Sequence, residues 1–434
     1  MRSSCSLRGA AFALVTAGVA GQTVPAFASG FALREQTPDL TANAFVGGAA
    51  KAYDAGTVYS NPAGMTRLDA NQVEGAGSFI APYSSFSGAN YFGPGITTPG
   101  SQGGNVVEPA GIGSAFGVLG INPDLKIGLG VTVPFGQRIS NPTDFVGRYQ
   151  SLVSSITDVQ TTLALAYRVN EHLSIGGGPV VDYFQARLTQ ALNLGPLNQF
   201  GNATGDVNGS DVGIGYNLGV LYEFNADTRI GLDYHSRIQH GIAGNETISP
   251  PPLLGGANPA LAAAIAAQSS NAQTNITLPD SVSFALYHKI TPRLALVGEV
   301  EWTHWSLIRD IVITPGSGAP PTVMNENWRS TIFAGLGLNY QLLDNVVLKT
   351  GFSYDMSPVT DSNRTTRIPD TDRYILGIGV AYDVTPRVRL ELAYAHIFCE
   401  PAPINNAANA TSGQIIGTYS DHADTLSAGV TVKF

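Results

Sequence analysis

The chain has 434 residues, a formal net charge of −9, and charges on only 13% of its residues. That is about half the roughly 25% usual for soluble domains, and the acidic balance without a clustered Lys/Arg stripe speaks against nucleic acid as a partner. Beyond the amino terminus no stretch reaches the roughly 18 apolar residues of a spanning helix, so a membrane route must be a closed β-barrel; a large secreted β-sandwich or β-helix is the alternative on composition.

Residues 1–28 carry Arg2 and Arg8, an apolar run from Gly9 to Ala20, and then Ala26-Phe27-Ala28. That order predicts a cleavable secretory signal cut before Ser29. Cys5 precedes the apolar run, so a lipid anchor is not expected, and Cys399 is left as the only cysteine of the mature chain, without a disulfide partner. The next segment, 29–70, is rich in Ala and Gly, shows neither a helical nor a strand period, and closes on Asn61-Pro62-Ala63-Gly64. Its Phe, Val, Tyr and Ala content is too apolar for a disordered tail. It reads as a plug lying inside the strand-rich remainder of the chain.

From Asn71 onward the period is two. Val212, Ile214, Tyr216, Leu218, Val220, Tyr222 and Phe224 form one face of a strand, against Gly213, Gly215, Asn217 and Gly219 on the other. An apolar outside with a small or polar inside is the outer-membrane strand pattern. Six short connections recur, at 122–124, 170–172, 225–227, 291–293, 343–345 and 385–387. Seven longer ones alternate with them, near 88–110, 137–156, 190–210, 245–275, 314–325, 359–371 and 399–417. The rhythm predicts an all-β, 14-stranded antiparallel transmembrane β-barrel over 71–434, with both termini periplasmic. The last strand ends on Phe434, on the same face as Leu426, Ala428, Val430 and Val432, and closure against a first strand near Gln72–Ser87 would remove a free edge.

The Gly30-Phe31 start, the core from Ala44 to Ala55 and the Asn61-Pro62-Ala63-Gly64 end resemble the FadL/TodX family of outer-membrane transporters for long-chain fatty acids and other hydrophobic compounds. Glu301-Trp302-Thr303-His304-Trp305-Ser306, Ser357-Pro358-Val359 and Ile368-Pro369-Asp370 are similar to further motifs of that family, and the likeness covers nearly the whole mature chain. It implies an amino-terminal hatch in the lumen and passive, ligand-gated uptake of hydrophobic molecules, with lateral release into outer-membrane lipid through a gap in the barrel wall. No cofactor is implied, and Phe434 resembles the signal read by the barrel-assembly machinery. A monomer is expected.

Three places give that path residues. The loop 248–271 is mostly apolar, with a short helix expected at Pro259–Gln268, and reads as a landing surface or as a loop folded over its own core. Phe145, Val146, Tyr149, Leu152 and Val153 are expected on its opposite wall. Arg329 extends the inward face of its strand, and the resemblance places Arg187 and Arg329 at a fatty-acid head group; a lumen ion pair with Glu299, Glu301 or Glu391 is the competing reading. The register at Arg187 depends on whether Gly176-Gly177-Gly178-Pro179 bulges its strand. Gly128, Gly130 and Pro134 weaken the third strand, because Pro cannot donate to a ladder and Gly packs poorly in one. A lateral gap there, beside Asn61, Pro62 and Ala63 and the hatch residue Phe31, is the use that the resemblance suggests.

No residue set supports an enzyme. The histidines are scattered, no metal-ligand spacing appears, and no nucleophile motif sits in a fitting context. The expected cargo is a long-chain fatty acid, with aromatic or alkane hydrocarbons as the alternative; a general porin and a lipid hydrolase are weaker readings.

Overall fold

The computed structural model describes residues 29–406 and 409–434; the signal segment lies outside them. Fourteen strands close a single antiparallel barrel. They are β1 Gln72–Tyr91, β2 Ala110–Gly120, β3 Leu125–Thr132 with Gly136–Ser140, β4 Val153–Arg168, β5 Leu173–Leu192, β6 Ala203–Glu223 and β7 Thr228–His235 with Ile238–Ser249. There follow β8 Ser270–Leu278 with Ser281–Thr291, β9 Leu294–Thr303 with Asp310–Pro315 and β10 Thr322–Asn325 with Thr331–Leu343. Then come β11 Val346–Asp355, β12 Arg373–Thr385, β13 Val388–Cys399 with Ala402–Asn405, and β14 Gln414–Lys433. β14 pairs β1 from Gln72↔Lys433 to Tyr91↔Gln414, so neither of these strands leaves an open edge.

The period-two residues build the wall as they must in a bilayer. Val212, Ile214, Tyr216, Leu218 and Tyr222 are exposed on the outside, where lipid replaces water, while Asn217 is fully buried on the inside. Five of the six short turns share one chemistry. Asn122, Asn170 and Asn225 each accept two backbone N–H groups on their Oδ1, and Thr291 and Thr385 do the same with Oγ1. Such Asx and Ser/Thr turns reverse the chain in few residues.

The hatch fills the lumen. It holds three short helices, α1 Pro38–Ala42, α2 Gly48–Lys51 and α3 Thr57–Ser60, and a 3₁₀ turn at Pro62–Arg67. Its Ala- and Gly-rich sequence has a geometric reason, since small side chains let hatch backbone approach a wall that is itself lined with small residues. Ala44, Val46, Ala49 and Ala50 pack on Ala285, Val297, Ala395 and Ala423. Val58, Met65 and Leu68 pack on Phe116, Val118, Ala164 and Ala166.

Charge fixes the hatch further. The buried Asp39 carboxylate lies 2.6 Å from Lys51 Nζ of the hatch and 2.5 Å from Lys349 Nζ of the wall, and Lys349 also meets Glu391 at 2.6 Å. Arg229 of β7 donates to the Ala50 carbonyl at 2.7 Å, with its guanidinium 3.6 Å from the centre of the Tyr287 ring.

Candidate functional site

The amino-terminal end of the hatch is held against the wall residue by residue. Ser29 Oγ donates to Met356 O (2.9 Å) and Gly30 N–H to Asp370 Oδ2 (3.0 Å). Leu33 N–H reaches Pro134 O at 2.7 Å, and Gly136 N–H reaches Phe31 O at 2.8 Å. Residues 31–33 thus pair as a short strand with the interruption in β3. The Phe31 ring, 1% exposed, is enclosed by Trp305 at 5.0 Å and by Phe135 and Trp328, each at 5.7 Å.

That interruption also opens the wall. The β2–β3 ladder stops at Ala115↔Val131, although β2 continues to Ala110 along β1. On its other side β3 pairs β4 as far as Thr132↔Gln160 and resumes at Gly136↔Thr157, so 133–135 stand opposite 158–159. Pro134 has no N–H to give, which makes this the natural place for the ladder to fail. The freed groups are taken by the hatch. Gln36 Nε2 donates to Val133 O (2.8 Å), its Oε1 accepts Val133 N–H (3.0 Å), and its carbonyl accepts Ser114 Oγ (2.5 Å). Leu33 fills the same gap with Ile80, Ile112 and Val133. Gln36 therefore stands in for the missing rung, its side-chain amide holding Val133 of β3 and its main-chain carbonyl the Ser114 hydroxyl of β2.

Behind this seam lies a cavity of about 120 Å³ between hatch and wall. Its upper part is apolar, lined by Phe135, Val180, Ile238, Leu278 and Trp305, and its floor carries Arg34, Asp233, His235, Glu299 and Glu301. Leu33, Pro134 and Phe135 belong to both cavity and seam. Above it, Glu326 Oε2 accepts Trp328 Nε1–H at 3.2 Å. Burial pushes the Glu326 carboxyl up to about 7, and the same cause brings the neighbouring Arg367 down to about 10.

Several expected site residues sit elsewhere. Arg187 faces outward with Val181 and Tyr183, 55% exposed, and forms an ion pair with Asp206 at 2.6 Å. Its strand pairs β6 continuously from Leu173 to Leu192, so the glycine run shifts no register there. Arg329 also misses the lumen. The β10 ladder breaks after Asn325 and resumes only at Thr331, so the period of two does not extend across Glu326–Ser330; Trp328 turns inward, and Arg329 pairs with Asp372 at 3.3 Å. Glu301 and Glu391 are held by Arg34 and Lys349 instead.

Gly128 and Gly130 lie within the paired part of β3, opposite Val118 and Phe116. Side chains there would strike Met65 and Val58, so these glycines seat the hatch rather than open the gap. Asn61 caps the 3₁₀ turn through Ala63 N–H, and its Nδ2 donates to Ala49 O (2.7 Å) and Val220 O (3.0 Å). Asn61, Pro62 and Ala63 press on Gly219 and Gly176 of β6 and β5, away from the β3 interruption. Phe31 and Pro134 are the two expected residues that meet at it.

Toward the outside, helices α4 Leu254–Ala257 and α5 Pro259–Ala266 of the β7–β8 loop pack Leu254, Leu261 and Ile265 on Leu194, Leu197 and Phe200 of the β5–β6 loop. Phe145 and Val146 are buried with Phe86, Ile404 and Tyr419, and Tyr149 and Leu152 with Ala191; these four form the core of the loop cap. Arg34 and Gln36 escaped the sequence reading because the hatch has no period to mark an inward face. Trp305 entered it only within a family motif and Trp328 not as a site residue, because both follow breaks in their strands.

The sequence model for the outer membrane protein transport protein family (OMPP1/FadL/TodX) matches residues 19–434. A long-chain fatty acid transport protein of Escherichia coli O6:H1 is 28% identical over 382 residues, covering 82% of this chain and 84% of that one. Outer membrane protein P1 of Haemophilus influenzae is 26% identical, covering 85% and 86%. Among solved structures, a FadL homologue of Pseudomonas aeruginosa superposes with a TM-score of 0.83 at 22% identity, covering 93% of this chain and all of that one. With a closed barrel, a lumen hatch and a match over nearly all its length, this chain belongs to the OMPP1/FadL/TodX family of outer-membrane transport channels for hydrophobic compounds, which are not enzymes.

Proposed function

We propose that the protein takes up long-chain aliphatic molecules, long-chain fatty acids among them, by passive diffusion into the cavity beside Phe31 and lateral release between β2 and β3. One observation carries this reading. The apolar cavity and the unpaired seam share Leu33, Pro134 and Phe135, so cargo in the cavity is one hatch segment away from lipid. Opening requires only that 31–36 withdraw, because β1–β2 and β3–β4 remain laddered on either side. The Asp39–Lys349 network supports a hatch whose body stays in place meanwhile. The fatty-acid element comes from the names of relatives at 27% and 28% identity.

The test is uptake of a labelled long-chain fatty acid and of labelled toluene by cells that lack their own carrier, with the proton-motive force intact or collapsed. Fatty-acid uptake should depend on the protein and survive collapse of the gradient, while a small sugar should not pass. Uptake that stops with the gradient, or free passage of the sugar, would contradict the proposal. Toluene as the better cargo would replace the aliphatic chain with an aromatic one.

A further inference from the structure

Charges on the cavity floor are unequal. Three carboxylates line it, Asp233, Glu299 and Glu301, against one guanidinium, Arg34, and one imidazole, His235. The two charged donors are already engaged. Arg34 holds Glu301 at 2.8 Å and Asp355 at 3.4 Å, with its guanidinium stacked 4.0 Å from the centre of the Phe333 ring. His235 Nε2 lies 2.9 Å from Asp233 Oδ2. Acceptors remain to spare: Asp233 is 1% exposed and its Oδ1 has no hydrogen-bond partner among the described residues, while Glu299 receives Gly48 N–H on Oε2 at 2.7 Å. With Arg187 and Arg329 paired on the outer face, no uncommitted cation among the described residues faces this cavity.

We propose that, among aliphatic cargo, the cavity favours a head group that donates hydrogen bonds and carries no negative charge (a long-chain alcohol or amine, or a fatty acid in its protonated form) over an ionised carboxylate. The proposal rests on the uptake reading above and deepens it. A carboxylate brought to this floor would face three others, and the one guanidinium there must first release Glu301 to pair with it. A hydroxyl or ammonium finds in Asp233 a buried acceptor, and satisfying such an atom is favourable because leaving it unpaired is costly. The apolar upper wall takes the chain in either case.

The experiment uses the full protein in a non-ionic detergent with a neutral fluorescent probe bound, titrated at pH 8 with dodecan-1-ol, dodecylamine and sodium dodecanoate. The alcohol and the amine should displace the probe at concentrations about tenfold or more below dodecanoate. Asp233→Asn combined with Glu299→Gln should narrow that gap; Glu299→Gln alone serves where the double variant does not fold, judged by heat-modifiable gel mobility. Dodecanoate equal to or tighter than the alcohol, or an unchanged gap in a folded variant, overturns the head-group proposal and leaves the uptake reading intact. Displacement by none of the three overturns both.

Discussion

Lys349 ties the wall to the hatch through a buried ion-pair network, and replacing it with Met isolates the electrostatic part of that tie. Its Nζ lies 2.5 Å from Asp39 and 2.6 Å from Glu391, and all three side chains are almost fully buried. Lys349→Met keeps the length of the chain but leaves two carboxylates with Lys51 as the one remaining partner, on Asp39 alone. Removing one member of a buried ion pair costs about 3–5 kcal/mol, mostly because the other charge is stranded. The barrel ladder is untouched, so the loss falls on hatch docking and raises the displaced population by about two to three and a half orders of magnitude. In planar bilayers the variant should show frequent large openings where the parent is nearly silent, and liposomes carrying it should swell in small sugars. Neutralising the stranded acids as well, with Asp39→Asn and Glu391→Gln, should restore most of the closure. Parent-like conductance and melting temperature in Lys349→Met would refute the argument that this network holds the hatch.

Phe31→Ala removes the ring enclosed by Trp305, Phe135 and Trp328 and should cost about 3–5 kcal/mol of local packing; a raised off-rate of bound probe in stopped-flow checks it. Asn61→Ala loses a helix cap and two bonds to backbone carbonyls, so a melting-temperature drop matching about 2–3 kcal/mol is expected. Because burial raises Glu326 from 4.5 to about 7, the folded protein binds more protons than the unfolded chain between those values, and its stability falls as pH rises through that window. Glu326→Gln should therefore raise the melting temperature at pH 8 and leave it unchanged at pH 4. Arg187→Ala and Arg329→Ala, both on the outer face, should leave equilibrium binding of dodecanoate and dodecanol unaltered.

Much of the barrel was legible because its grammar is local. Alternation at 212–224 sets a lipid face, and Asn or Thr at the short turns marks each periplasmic reversal. The site was less legible because it is made where that grammar stops. Arg329 was placed inward by extending a period of two across Glu326–Ser330, where no ladder enforces it. Gly128 and Gly130 signal weak packing in any strand, and nothing local says that the space is wanted by Val58 and Met65 of the hatch. Pro134 was the informative residue of the three, since its missing N–H has the same consequence in every context. Arg34 and Gln36 act through partners about 80 to 320 positions away, Ser114, Val133, Glu301 and Asp355, a distance that no local pattern reports.

The lateral route is tested most directly by closing the seam. Ser114 and Thr132 are the first positions beyond the last β2–β3 rung, Ala115↔Val131, and both lie on the inner face. Cysteines at both, in a Cys399→Ala background, would extend the ladder covalently when oxidised. The oxidised protein should bind cargo with parental affinity yet deliver none to the cell, and reductant should restore delivery. Uptake at the parental rate with the disulfide formed would show that cargo leaves by another path.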